Sequence, residues 1–153
     1  MLTTRYAAAT LLLGTLAACG GGAEEPATPR PLEFSVLDSS DNGNIRAARF
    51  AMAKSDVEWK SLWSEYKGAY AKPAPAVDFH SRMVVGVFTG ERPVGCDAAA
   101  IRRVIREESS IRVEYALVAP PAQTACGGAF TAPAVVAEVP HSDLPVSFTK
   151  VPQ

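Results

Sequence analysis

The chain has 153 residues, 48% hydrophobic and 20% charged, which excludes wholesale disorder and a polytopic membrane protein and suits one globular domain. Its 15 basic and 16 acidic residues leave a formal net charge of −1, so it carries no basic footprint for nucleic acid and no polybasic patch for anionic lipid.

Residues 1–19 read MLTTRYAAATLLLGTLAAC. One positive charge at Arg5, an apolar stretch from Tyr6 to Leu16 and small residues before a cysteine make the three-part layout of a secretory signal. The apolar stretch is too short to span a bilayer as a mature helix. Leu16-Ala17-Ala18-Cys19 resembles the bacterial lipobox, in which the cysteine thiol receives a diacylglycerol before cleavage. Residues 1–18 are therefore expected to be a lipoprotein signal peptide, with the mature chain held on a membrane through lipid at Cys19. Acyl chains contribute about 0.8 kcal/mol per buried methylene, so a multiply acylated N-terminus anchors stably. Gly20, where the usual retention signal is aspartate, points to the outer membrane of a two-membrane cell, facing the periplasm or the surface. Residues 19–31 form the lipidated N-terminus and a flexible linker, glycine-rich and then proline-rich, that lifts a domain spanning 32–153 off the bilayer.

Leu32, Phe34 and Val36 alternate with polar neighbours, DSSDNGN at 38–44 breaks the pattern, and Ile45 to Ala53 resumes it, predicting a two-strand unit with a solvated turn. Asp38, Asp41, Asn42 and Gly43 in that turn lack the alternating oxygen ligands and closing glutamate of a calcium loop. Ser55-Asp56-Val57-Glu58 is a capping box, and Trp59, Leu62, Trp63 and Tyr66 follow at i, i+3, i+4 and i+7. An amphipathic helix from about Asp56 to Lys67 is expected, ended by Gly68 and followed by a proline-containing loop. Met83 to Phe88 is a continuous apolar run, the pattern of a central strand covered on both faces. Ala98 to Arg106 and Ile111 to Val118 flank the polar turn Glu107-Glu108-Ser109-Ser110 as a hairpin with one wet face, decorated by Arg102, Arg103, Arg106, Arg112 and Glu114. Ala134 to Val139 and Val146 to Lys150 supply two further strands. The fold class expected is β-rich α+β: a small antiparallel sandwich or barrel-like sheet of about seven strands with one amphipathic helix.

Lipidation consumes Cys19, leaving Cys96 and Cys126 as one pair in an oxidising compartment, and a disulfide is the simplest account. Closing that loop removes denatured-state entropy worth roughly 3 to 4 kcal/mol. The rival reading, a metal site of Cys96, Cys126, His80 and His141, lacks CxxC or HxxxH spacing. No metal or cofactor is expected.

No GxSxG elbow, HExxH, SxxK, P-loop or GxGxxG occurs. His141-Ser142-Asp143 holds the three triad residue types, but sequence neighbours cannot adopt the relay geometry. Glu107 and Glu108 sit at a turn where solvent keeps both ionised. A non-enzymatic binding role needs only a rigid scaffold with one exposed face, and Trp59, Trp63, Arg102 and Arg112 are its candidate residues. A second reading is a small-molecule or glycan carrier with a pocket near Trp59 and Trp63, which requires that those indoles not be fully buried.

EWKSLWSEY, PAVDF at 75–79, MVVGVFTGERPVG at 83–95, the hairpin, TAPAVVAEVP and PVSF together resemble the PrcB-like protease-complex-subunit family, in order and spacing from about Phe34 to Phe148. The chain departs from that family's glycine-rich turn at Val94-Gly95-Cys96-Asp97, where relatives run on into an aromatic residue. The resemblance implies a β-rich domain with one helix. It also implies an envelope lipoprotein that accompanies a secreted protease and is not itself a peptidase. The expectation is a non-catalytic, membrane-anchored accessory or recognition module that engages another envelope protein such as a protease.

Overall fold

The computed structural model describes residues 28–153 apart from Ala69, Val94 and Gly95. The signal peptide, Cys19 and the linker as far as residue 27 lie outside the described residues.

Among the described residues, eight strands and one helix follow in the order β1 (Arg30–Leu32), β2 (Ser35–Ser40), β3 (Arg49–Ala53), α1 (Asp56–Lys67), β4 (Arg82–Phe88), β5 (Ala98–Arg106), β6 (Ile111–Val118), β7 (Ala134–Pro140) and β8 (Val146–Lys150). They form two four-stranded sheets, β1-β5-β6-β8 and β2-β7-β4-β3. Every pairing between these strands is antiparallel except β6 with β8. The protein is thus a β-rich α+β sandwich with a helix on the outer face of the second sheet.

β4 is central because both of its faces are apolar. Met83, Val85 and Val87 pack toward the first sheet, against Ile101, Val104 and Val113. Val84 and Phe88 point the other way, into a cluster with Trp59, Trp63 and Tyr66 of α1. Burying side chains of this size contributes about 1.5–3 kcal/mol each. Gly86 serves the close packing on the helix side, where a Cβ would lie 2.8 Å from the Phe88 ring.

The helix begins and ends as its sequence requires. Ser55 Oγ accepts from the Glu58 N–H, and Glu58 Oε2 accepts from the Lys54 N–H at 2.7 Å, one residue earlier than a standard box. The Gly68 N–H closes the last turn on the Ser64 carbonyl, at a φ of 92° that disfavours a side chain.

Three expectations need correction. The tether reading extended to residue 31, but Arg30 and Pro31 already belong to β1, paired with Arg106 and Ile105; an edge strand tolerates the proline's missing N–H. β2 and β3 are not partners, because β2 pairs with β7 and β3 with β4. Local alternation identified strands there but carries no information on which long-range neighbour each selects. The DSSDNGN segment is also less solvated than expected. Asp38 to Ser40 belong to β2, and Asp38 Oδ2 accepts from the buried Tyr66 hydroxyl at 2.6 Å and from Lys67 Nζ at 2.9 Å.

The two long sides of the sandwich differ. Glu33 and Phe34 join edge strand β1 to edge strand β2, and Leu32 and Phe34 pack onto the core there. On the opposite side, β3 and β8 are the two edges, and among the described residues no strand pairs with the outer edge of either.

Candidate functional site: an aromatic cleft between two free strand edges

Period-2 alternation puts Phe50 and Met52 on the face of β3 that looks toward the first sheet, and Val146 and Phe148 on the matching face of β8. Since both strands are edges, these side chains meet at the rim of the sandwich rather than in its centre. Phe50 and Phe148 stack with centroids 4.4 Å apart, and Phe50 meets Tyr115 of β6 edge-on at 5.4 Å. Phe50 and Met52 are each 46% exposed. The other large exposed apolar side chains, among them Val36, Val57 and Phe130, stand on separate elements.

Two neighbouring clefts share Phe50. One, about 280 Å³, is bounded by Phe50, Phe88, Tyr115 and Leu117 and carries the cations Arg49, Arg92 and Lys150. The other, about 430 Å³ and more open, lies between Met52 on β3 and Val146 and Phe148 on β8. Together they make an apolar groove along β3, charged at one end.

The charges at that end are differently engaged. Arg49 Nη2 bonds Glu65 of the helix at 2.6 Å, and its guanidinium lies 5.8 Å from the centroid of the Phe88 ring. Arg92 Nη2 lies 3.2 Å from Asp97, while its Nε is buried without a hydrogen-bond partner among the described residues. Lys150 stands opposite Tyr115, at an inward register position of β8.

The residues expected to form a binding face lie elsewhere. Trp59 is 1% and Trp63 8% exposed, and their indole N–H groups donate to the Pro75 and Lys72 carbonyls, each at 2.8 Å. Both rings are spent on the core and its covering loop, so the pocket expected beside them is not built from those indoles. A shallow depression at the helix N-terminus is lined instead by Lys54, Ser55, Asp56 and the Val77–His80 segment. Arg102 is exposed, at the bulge between Ile101 and Arg103. Arg112 belongs to a network on the outer face of the first sheet: its Nε bonds Glu107 at 2.7 Å, its Nη1 bonds Glu114, and Arg103 Nε reaches the other Glu114 oxygen at 2.7 Å. Glu114, expected on a wet face, is only 3% exposed because the two arginines cover it. The Arg112 and Ser110 side chains that donate to Glu107 hold its carboxyl below the usual carboxylate range.

Cys96 and Cys126 are joined in a disulfide with Cα atoms 5.5 Å apart. It pins the loop after β6 to the segment before β5. In the His141-Ser142-Asp143 segment, Ser142 Oγ accepts from the Leu144 N–H, and His141 Nε2 lies 3.9 Å from an exposed Asp143. The serine hydroxyl therefore caps a turn. Among the described residues, no group of three His, Cys, Asp or Glu is placed to hold a metal ion, and no helix is long and apolar enough to cross a membrane.

The groove's residues are legible in the sequence as strands, but not as a groove. The signal was the i, i+2 spacing of large apolar residues, Phe50 with Met52 and Val146 with Phe148, in two short strands. No family model, curated protein or solved structure matches the chain.

Proposed function

We propose that this protein is a non-catalytic envelope lipoprotein, anchored through Cys19, whose domain binds an extended segment of a partner protein along the open side between β3 and β8. The observation that carries the reading is the pairing of two unpartnered strand edges with an apolar groove between them. A free edge offers a row of backbone donors and acceptors, and an added strand satisfies them while its alternate side chains enter the groove. Phe50 and Met52 project beside the β3 edge, where the docked segment covers them. The resemblance of the sequence to the PrcB-like protease-complex-subunit family supports an envelope partner, a secreted protease first among the candidates.

Co-purification from native envelopes tests this. Met52→Asp and Phe148→Asp place a charge on the groove and are expected to release a partner that the unaltered protein retains. Arg103→Asp, on the opposite face, is expected to keep it. Equal retention by all three variants refutes the assigned face.

A further inference from the structure

Building on the docking reading, we infer that the charged end of the groove is a carboxylate pocket, which takes the last residue of the docked segment with its apolar side chain and its free C-terminal carboxylate. Its volume, about 280 Å³, falls just below the roughly 300–1,000 Å³ that drug-sized ligand pockets span, which suits a single side chain and its end group. Phe50, Tyr115 and Leu117 supply apolar walls, and the charged residues lining it among those described are all cations: Arg49, Arg92 and Lys150.

The arginines are partly committed. Glu65 holds one Arg49 nitrogen and Asp97 one Arg92 nitrogen. What remains is Lys150, which enters no ion pair among the described residues, with Arg92 beside it engaged through one terminal nitrogen. A charge-assisted hydrogen bond is about twice as strong as a neutral one, so a carboxylate reaching Lys150 or the outer guanidinium nitrogens of Arg92 gains more than a neutral end group would. Lys150 also sits at an inward position on an edge strand, where a charge discourages indiscriminate pairing. The two roles are compatible: the lysine rejects apolar edges and accepts a chain end bearing the opposite charge.

The test uses the chain from residue 19 onward, secreted behind a conventional signal peptide and carrying Cys19→Ser so that neither lipid nor detergent competes for the groove. Two peptides serve as probes, acetyl-Ala-Ala-Phe with a free carboxylate and the same peptide as its amide, titrated by calorimetry and by amide chemical shifts. The free acid is expected to bind at least about tenfold more tightly, with shifts centred on β3, Thr89 and β8, and the preference is expected to vanish in Lys150→Gln and in Arg92→Gln, each checked for an unaltered fold by its far-ultraviolet spectrum. Equal affinity for acid and amide overturns the carboxylate pocket. If neither peptide binds while native envelopes still yield a partner that Met52→Asp releases, this inference fails and the docking reading stands. Loss of that partner dependence as well brings down both.

Discussion

Phe50 of β3 and Phe148 of β8 lie ring on ring, 4.4 Å between centroids and 5° from parallel, bridging two edges that no further strand pairs with among the described residues. One ring comes from each sheet, so the contact ties the sheets together at their open rim, and its Phe50 partner lines both clefts.

Phe50→Ala separates those roles. The ring is half-exposed, so its loss is expected to cost about 1–2 kcal/mol of stability, below the roughly 3–5 kcal/mol of a fully buried phenylalanine. Partner retention is expected to be lost while the protein remains folded. Urea unfolding beside co-purification measures both.

Trp63→Phe is expected to do the reverse. The indole N–H donates to the Lys72 carbonyl, and phenylalanine leaves that acceptor unpaired at a cost of about 1–2 kcal/mol. Since Trp63 lies on the far side of the second sheet from the groove, binding at the open side is expected to be unchanged. A fall in binding without a fall in urea midpoint contradicts the placement of the site.

Reduction of the Cys96–Cys126 disulfide is expected to lower stability by roughly 3 kcal/mol through release of a loop with a sequence separation of 30. The double variant Cys96→Ser with Cys126→Ser is expected to match the reduced protein and to be insensitive to reductant, read from urea curves with and without dithiothreitol. A midpoint that reductant leaves unmoved in the unaltered protein contradicts the bridge's structural role.

Acid sensitivity follows from two carboxylates held below their ordinary 4.5: Glu58, by the Lys54 N–H and then the Ser55 hydroxyl, and Glu107, by the Arg112 guanidinium and then the Ser110 hydroxyl. A depressed carboxylate binds protons more readily in the unfolded chain. Its contribution is therefore fully present above the ordinary value and is lost as pH falls through the lower folded value. Glu58→Gln and Glu107→Gln are each expected to flatten the decline of the urea midpoint below about pH 4.5, with little change in slope near neutrality. An unaltered acid limb in both variants contradicts this assignment.

Legibility from sequence followed the range of the interactions. The helix was readable to the residue, because the Ser55–Glu58 cap and the spacing of Trp59, Leu62, Trp63 and Tyr66 are contained in one stretch of chain. β4 announced itself because strands covered on both faces need an uninterrupted apolar run. Strand partners were not readable: Val36 pairs with Ala137 and Phe50 with Val87, contacts set by the assembled core rather than by either segment. Glu114 shows the same limit at one residue, since alternation gave its face correctly but not that Arg103 and Arg112 would cover it. The aromatic helix drew attention as a candidate face because its rings are conspicuous in sequence, and in the fold those rings fill the core. The groove depends on two edges from opposite ends of the chain remaining unpaired beside each other, which no local pattern records.

Site-resolved photo-crosslinking in native envelopes tests the central claim most directly. p-Benzoylphenylalanine replaces Met52 or Val146 on the open side, or Lys60 on the exposed face of the helix. One adduct of defined mass, common to positions 52 and 146 and missing from position 60, is the predicted result. Adducts at position 60 alone, or none at 52 and 146 while the protein still purifies in a complex, contradict docking along β3 and β8.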